Sequence, residues 1–204
     1  DGREPMRRAV FLDRDGVICH NRDDYVKSWE EFVFIPDARE ALARLAQSDL
    51  QIVIATNQSA INRGIVSRAA VENIHARMLR AIEAAGGRVD LVTVCPHRPD
   101  EGCNCRKPRP GMLLAATQEL DLDLSQSYLI GDAGSDIQAG QAVGCQCYLV
   151  LTGRGRGELI SCWMKGRGFR VAADLEMAVS HILRNNIEIR QKLSFATQGE
   201  TWRA

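Results

Sequence analysis

Phe11-Leu12-Asp13-Arg14-Asp15-Gly16-Val17 carries an apolar run, Ala9-Val10-Phe11-Leu12, into two carboxylates two residues apart and then a glycine. A short apolar run that stops abruptly at acids and glycine reads as a buried strand ending in a turn. Outward from it the same unit recurs. Gln51-Ile52-Val53-Ile54-Ala55, Val89-Asp90-Leu91-Val92-Thr93-Val94, Tyr128-Leu129-Ile130 and Tyr148-Leu149-Val150-Leu151 read as further buried strands. Asp37 to Gln47, Ser67 to Ala85, Gly111 to Leu120 and Asp136 to Val143 space their apolar residues as helices do. Strand alternating with helix predicts an α/β fold, a doubly wound parallel (Rossmann-like) sheet covered on both faces, with ligands beyond the carboxyl ends of its strands. The stretches Cys95 to Pro110 and Thr152 to Gly168 read as irregular, and no large insertion separates the strands. One domain over residues 6–193 without a separate cap domain is the expectation.

The chain has 204 residues, 45% hydrophobic and 25% charged, so a globular fold is expected and disorder or a fibrous state is excluded. At this length about 70% of the unfolded surface can be buried, which leaves no need for disulfide staples. With 26 basic and 26 acidic side chains there is no bulk attraction to nucleic acid or anionic membrane. No apolar run reaches the roughly 18 residues of a spanning helix, and no export signal is legible. A cytoplasmic monomer with no nucleic-acid or membrane partner is therefore expected. Residues 1–5, ahead of Met6, read as an expression remnant, and residues 194–204 as a polar tail.

The chemistry-bearing residues fall at the ends of these strands. Asp13 and Asp15 can face one pocket, where a cation would relieve their repulsion: Asp13 as a covalent nucleophile, Asp15 as acid and then base. The plain alternative is a turn with solvated acids. After the second strand, Thr56, Asn57, Gln58 and Ser59 can donate to phosphate oxygens, or merely cap a turn. Lys107 can neutralise charge on a transferring phosphoryl group. Asp132 and, four residues on, Asp136 suit a magnesium ligand backed by a supporting acid, or an N-cap in a glycine turn.

Seven cysteines stand at 19, 95, 103, 105, 145, 147 and 162. Cys95-Pro96-His97 and Cys103-Asn104-Cys105 together form a Cys-x-His, Cys-x-Cys set, a closed group of four soft ligands that suits a structural zinc. A zinc loop over 95–105, poor in apolar residues, would owe its order to the metal. Cys145 and Cys147 read as buried small residues.

Taken together, these strand-end residues resemble the haloacid dehalogenase superfamily phosphatases over about Ala9 to Arg154. The resemblance implies that Asp13 forms an aspartyl-phosphate, that Asp15 is acid and base, and that Thr56 and Lys107 hold the phosphoryl group. It also implies magnesium on Asp13, Asp132 and the Asp15 carbonyl. The stretch from Thr56 to Gly64, with Tyr25-Val26, is similar to the branch acting on heptose 1,7-bisphosphate, which implies a sugar bisphosphate substrate losing its 7-phosphate. Arg106 would then grip the retained phosphate, and Asp24 and Tyr25 would touch the sugar. Histidinol-phosphate phosphatases share the zinc loop and are the alternative; a non-catalytic zinc-stabilised interaction module is the alternative from another class. Cys19 stands where the heptose branch commonly has asparagine, and Ala133 where many members have lysine. The Gly/Arg run from Thr152 to Gly157, His20, His75 and His181 are read as bland, and Ile182, Leu183, Ile187, Ile189 and Leu193 as a closing helix.

Overall fold

Side chains that alternate along fully buried strands must find apolar cover on both faces, and this requirement organises the whole chain. In the computed structural model, which describes residues 6–166 and 168–186, β1 (Ala9–Leu12) is buried along its entire length. It pairs in parallel with β2 (Gln51–Asn57) on one side and β4 (Tyr128–Gly131) on the other. With β3 (Leu91–Cys95), β5 (Gln146–Val150) and β6 (Phe169–Ala172), the six-stranded sheet runs β3-β2-β1-β4-β5-β6, all parallel.

Val10 and Leu12 of β1 point to one face, with Ile52, Ile54, Ile130 and Tyr148. There α1 (Ala38–Leu45), α2 (Arg68–Ala84) and α6 (175–186) cover them through Leu42, Ile74, Met78, Val179 and Ile182. Ala9 and Phe11 point the other way, with Val53 and Leu149, against Met112 and Leu113 of α3 (Gly111–Leu120), Ile137 of α4 (Gly134–Gln141) and Cys162 of α5 (Gly155–Lys165). The sequence reading of a doubly wound parallel sheet holds. Strand order reverses between β3 and β4, so the carboxyl ends of β1 and β4 form the switch point at which such sheets bind ligands.

The structure corrects the reading of Thr152 to Gly168 as irregular and of Tyr148–Leu151 as the last strand. Here α5 is followed by a further strand, β6. Neither advertised itself. Ile160, Trp163 and Met164 of α5 are exposed while only Gly155 and Cys162 are buried, so the helix has no apolar stripe to read. β6 is a four-residue edge strand with mostly partial burial. Elsewhere the differences are at boundaries: β3 begins at Leu91, and α4 begins at Gly134, with Ala133 as its N-cap. The remnant 1–5, the tail 194–204 and the closing-helix residues Ile187, Ile189 and Leu193 lie outside the described residues; Ile182 is buried in α6 as expected. No helix among the described residues is long and apolar enough to cross a membrane.

Leu12, with no exposure, is the last core residue before the functional turn. Leu12→Ala is expected to cost about 2–5 kcal/mol, read as a fall in the urea midpoint at unchanged slope. An unchanged midpoint would remove this residue from the core as described.

Candidate active site

Asp13, the first residue beyond β1, keeps its backbone N–H on Ile130 O of β4 (3.0 Å), so the sheet register itself sets its place. The chain then turns at Gly16, whose φ of +83° suits glycine; a Cβ there would lie 2.1 Å from Asp132 Oδ2. Only a residue without a side chain lets the β1 turn approach the acid after β4.

Asp13 Oδ1 accepts from Arg14 N (2.7 Å) and lies 3.0 Å from Lys107 Nζ. Lys107, 3% exposed, also meets Asp136 Oδ1 at 2.6 Å, while Asp136 Oδ2 accepts from Ala133 N (3.0 Å). The lysine is thus buried between two carboxylates. Burial alone would pull its ammonium down, but Asp13 and Asp136 outweigh that and lift it above the ordinary lysine range. Asn57 fixes the lysine's backbone from both sides: Asn57 Nδ2 donates to Lys107 O and Lys107 N donates to Asn57 Oδ1, each at 3.1 Å.

Burial raises the Asp13 carboxyl from 3.8 to about 7; Lys107 opposes the rise, and Asp136 and Asp132 add to it. Asp132 is raised to about 6, again chiefly by burial. Its Oδ2 accepts from Arg154 N (2.8 Å), whereas its Oδ1 is buried with no hydrogen-bond partner among the described residues. A buried, orphaned carboxylate oxygen beside two further acids calls for a cation. Ligand atoms of Asp13, Asp132 and Asp136 lie within 4.8 Å of one another. Because Asp136 spends both oxygens on Lys107 and Ala133 N, Asp13 and Asp132 are the acids with an oxygen to offer, and hard oxygen donors of this kind fit magnesium. The Asp15 carboxylate lies outside this cluster.

Asp15 is turned instead to Arg14, whose Nη2 donates to its Oδ1 (2.9 Å) and whose Nε donates to its Oδ2 (3.2 Å). Gln58 Nε2 donates to Asp15 Oδ2 and to Thr56 Oγ1, both at 2.8 Å. Burial pushes the Asp15 carboxyl up, but Arg14 outweighs it and holds it below the usual range. Arg14 reaches on to His75 of α2, its Nη1 donating to Nε2 at 3.0 Å. Cys19 Sγ lies 3.6 Å from Asp15 Oδ1, and its thiol is pushed well up by burial.

A second cluster gathers Cys95, at the end of β3, with His97, Cys103 and Cys105. Cys95 Sγ is 3.5 Å from His97 Nδ1, 3.7 Å from Cys103 Sγ and 3.2 Å from Cys105 Sγ. Bonds of about 2.3 Å to sulfur and 2.0 Å to nitrogen about a tetrahedral centre put donors about 3.5–3.8 Å apart, so the four atoms fit such an ion.

The cavity beside Asp13 has a volume of about 520 Å³ and is lined also by Asp15, Tyr25, Asn57, Gln58, Ser59, Arg106 and Lys107. Of the expected substrate contacts, Asp24 is exposed and paired with Lys27 (2.6 Å) and Arg22 (3.0 Å), and it is not among the residues that line this cavity, whereas Tyr25 is. Asn57 lines the cavity with its amide already engaged on Lys107. Thr56 has no exposure and stands behind Gln58. Sequence reasoning missed Arg14, Arg22, Arg63 and Arg154 in this wall. The run from Thr152 to Gly157, read as bland, also belongs to the site: Thr152 Oγ1 donates to Gly16 O (2.6 Å) and Arg154 N holds Asp132. For Arg14 a signal existed, since a cation between two acids in a buried turn must be paired. His75 had none, because its partner comes from a distant strand end.

Residues 104–178 match the family model described as HAD-hyrolase-like. The D-glycero-beta-D-manno-heptose-1,7-bisphosphate 7-phosphatase of Pseudomonas aeruginosa is 46% identical over 149 residues, covering 73% of this chain and 84% of the relative. That of Bordetella bronchiseptica is 41% identical over 177 residues, covering 87% of this chain and 98% of the relative. The crystal structure of the B. bronchiseptica D,D-heptose 1,7-bisphosphate phosphatase with magnesium and phosphate superposes with a TM-score of 0.82 over 87% of this chain and 99% of that one. A relative from Burkholderia mallei, 44% identical over 72% of this chain, is named for the alpha anomer of the same sugar. With 41–46% identity sustained over most of its length and the same fold, this chain belongs to the heptose 1,7-bisphosphate 7-phosphatase family of haloacid dehalogenase-like hydrolases.

Proposed function

We propose that the chain is a magnesium-dependent phosphomonoesterase that removes the 7-phosphate of D-glycero-D-manno-heptose 1,7-bisphosphate. The observation that carries this reading is Asp13 itself, 3.0 Å from Lys107 Nζ at the edge of a cavity walled by Arg22, Arg63, Arg106 and Arg154. Such a wall suits a substrate with a second phosphate. It disfavours histidinol phosphate, whose amine would be repelled.

Asp13 attacks phosphorus in line; the bond from phosphorus to the sugar O7 breaks, and O7 takes a proton from Asp15, which must first bind that proton against the Arg14 contact that holds its carboxyl low. Asp15, then ionised, accepts a proton from the water that hydrolyses the aspartyl-phosphate. Lys107 meets the charge on the transferring group, and Thr56, whose hydroxyl oxygen accepts from Gln58, keeps a proton that would reach a phosphoryl oxygen once Gln58, which stands in front of it, moves aside. Arg106 takes the retained phosphate, with Tyr25 and Ser59 against the sugar. Asp13, Asp132 and the Asp15 main-chain carbonyl would hold magnesium, with Asp136 supporting through Lys107. When bound, the ion supplies positive charge that lets an anionic nucleophile approach an anionic phosphate. Cys95, His97, Cys103 and Cys105 would hold a structural zinc that fixes the loop carrying Arg106 and Lys107.

Asp13→Asn is expected to abolish phosphate release from the bisphosphate while leaving the melting temperature at or above that of the parent; retained turnover would remove Asp13 as nucleophile. With the parent protein, the bisphosphate should be turned over in strong preference to histidinol phosphate, and the reverse preference would overturn the substrate assignment.

In the metal-free protein the values of Asp13 (about 7) and Asp132 (about 6) lie above the unfolded 3.8. The stability these groups contribute is therefore present below about pH 4 and lost as pH rises through about 6 and 7. The rise in melting temperature on adding magnesium should grow across that window, because the ion binds the ionised form. A gain independent of pH would count against these ligands. For the second cluster, elemental analysis of reduced protein should find zinc near one per chain, and Cys105→Ser should lower both zinc content and melting temperature.

A further inference from the structure

Arg14 heads the largest side chains that are fully buried among the described residues, with 1% exposure. A guanidinium does not give up its proton, so once buried it needs acceptors around its fork. The Nε and Nη2 edge is supplied by Asp15, with Gln58 Oε1 also on Nη2 at 3.1 Å. For Nη1 there is one side-chain acceptor among the described residues, His75 Nε2 at 3.0 Å. His75 is 7% exposed and comes from α2, which packs on the sheet face away from α3 and α4. To accept from a permanent cation its Nε2 must be bare, so the ring is neutral with its proton on Nδ1. Burial first, and then Arg14, pushes its value down to about 4, in keeping with that form.

We infer that His75 is a positioning residue for proton transfer: by accepting from Arg14 Nη1 it fixes the guanidinium whose Nε and Nη2 edge aims the Asp15 carboxyl group. This rests on the reading of Asp15 as proton donor and acceptor. When Asp15 carries the proton, one oxygen becomes an O–H donor and a weaker acceptor, so its hold on the guanidinium N–H loosens. The proton then passes to the sugar O7 as the bond from phosphorus to oxygen breaks, and the emptied oxygen returns to the same fork. A guanidinium anchored from behind returns the carboxylate to one place. One that keeps only Gln58 on Nη2 and lacks an acceptor for Nη1 is freer to turn with it.

The test compares His75→Leu, which removes the acceptor, with His75→Gln, which can present an amide oxygen to Nη1. Each is assayed for kcat/KM on heptose 1,7-bisphosphate, whose alkoxide leaving group needs a proton, and on p-nitrophenyl phosphate, whose leaving group needs little. This parameter covers steps up to phosphoryl transfer, so the later base role of Asp15 does not enter. His75→Leu should lower kcat/KM on the bisphosphate by ~10²-fold, carried mainly by kcat, with a loss below about threefold on the aryl ester. His75→Gln should restore most of it. An equal loss on both substrates, no loss, or a glutamine variant no better than leucine would overturn the proposal. Asp15→Asn run alongside separates the two readings: if it too fails to discriminate between the substrates, the acid role falls and the positioning role with it. If it discriminates and His75→Leu does not, only the positioning role falls. Should the leucine variant not fold, nitrogen spectra of labelled imidazole in the unaltered protein decide, since a proton on His75 Nε2 at neutral pH overturns the contact.

Discussion

Lys107 buried between Asp13 and Asp136 is the interaction on which the rest of the structure depends. Three carboxylates converge in a region of low exposure, and without an internal cation their repulsion and desolvation would far exceed what a turn can bear. The ammonium satisfies two of them at once. Among the described residues, Asp132 Oδ1 is left with neither a hydrogen-bond partner nor the ammonium, and that residual demand is what makes the site receptive to a further cation.

Much of the surrounding architecture serves to hold this lysine and these acids against one another. Asn57 grips the Lys107 backbone through the nitrogen and the oxygen of its side-chain amide, so the end of β2 positions a residue from the loop after β3. That loop is closed by the cysteine and histidine cluster, whose last member is separated from Lys107 only by Arg106. On the opposite side the turn after β5 ties Gly16 through Thr152 and Asp132 through Arg154 N. Gly153, with φ of +54°, is the second position where a side chain would collide with Asp132 Oδ2, at 2.2 Å. Side chains held this way have little to rearrange when charge develops.

A net charge of zero over the whole chain coexists with a cavity wall rich in arginine. Arg22, Arg63, Arg106 and Arg154 share the wall with Asp13, Asp15 and Asp23, and Arg22 is itself paired with Asp24 and Glu31. Bulk charge therefore says little about the local field, and the substrate preference of such a site is a matter of which few guanidinium groups face inward.

What the sequence by itself determined is five of the six strands, helices on both faces of the sheet and the acids at the strand ends, because short buried strands and glycine turns impose patterns within a few residues. The Cys-x-His and Cys-x-Cys spacing was legible for the same reason. Only the tertiary structure decided that Asp24 turns away to Lys27, that Asn57 is spent on Lys107, that α5 and β6 occupy a stretch without periodicity, and that Arg14 joins Asp15 to His75. Each of these depends on a partner tens of residues away or on a face exposed to water. Hydrophobic pattern records which residues leave water, and it carries no information about which polar group each of them meets there.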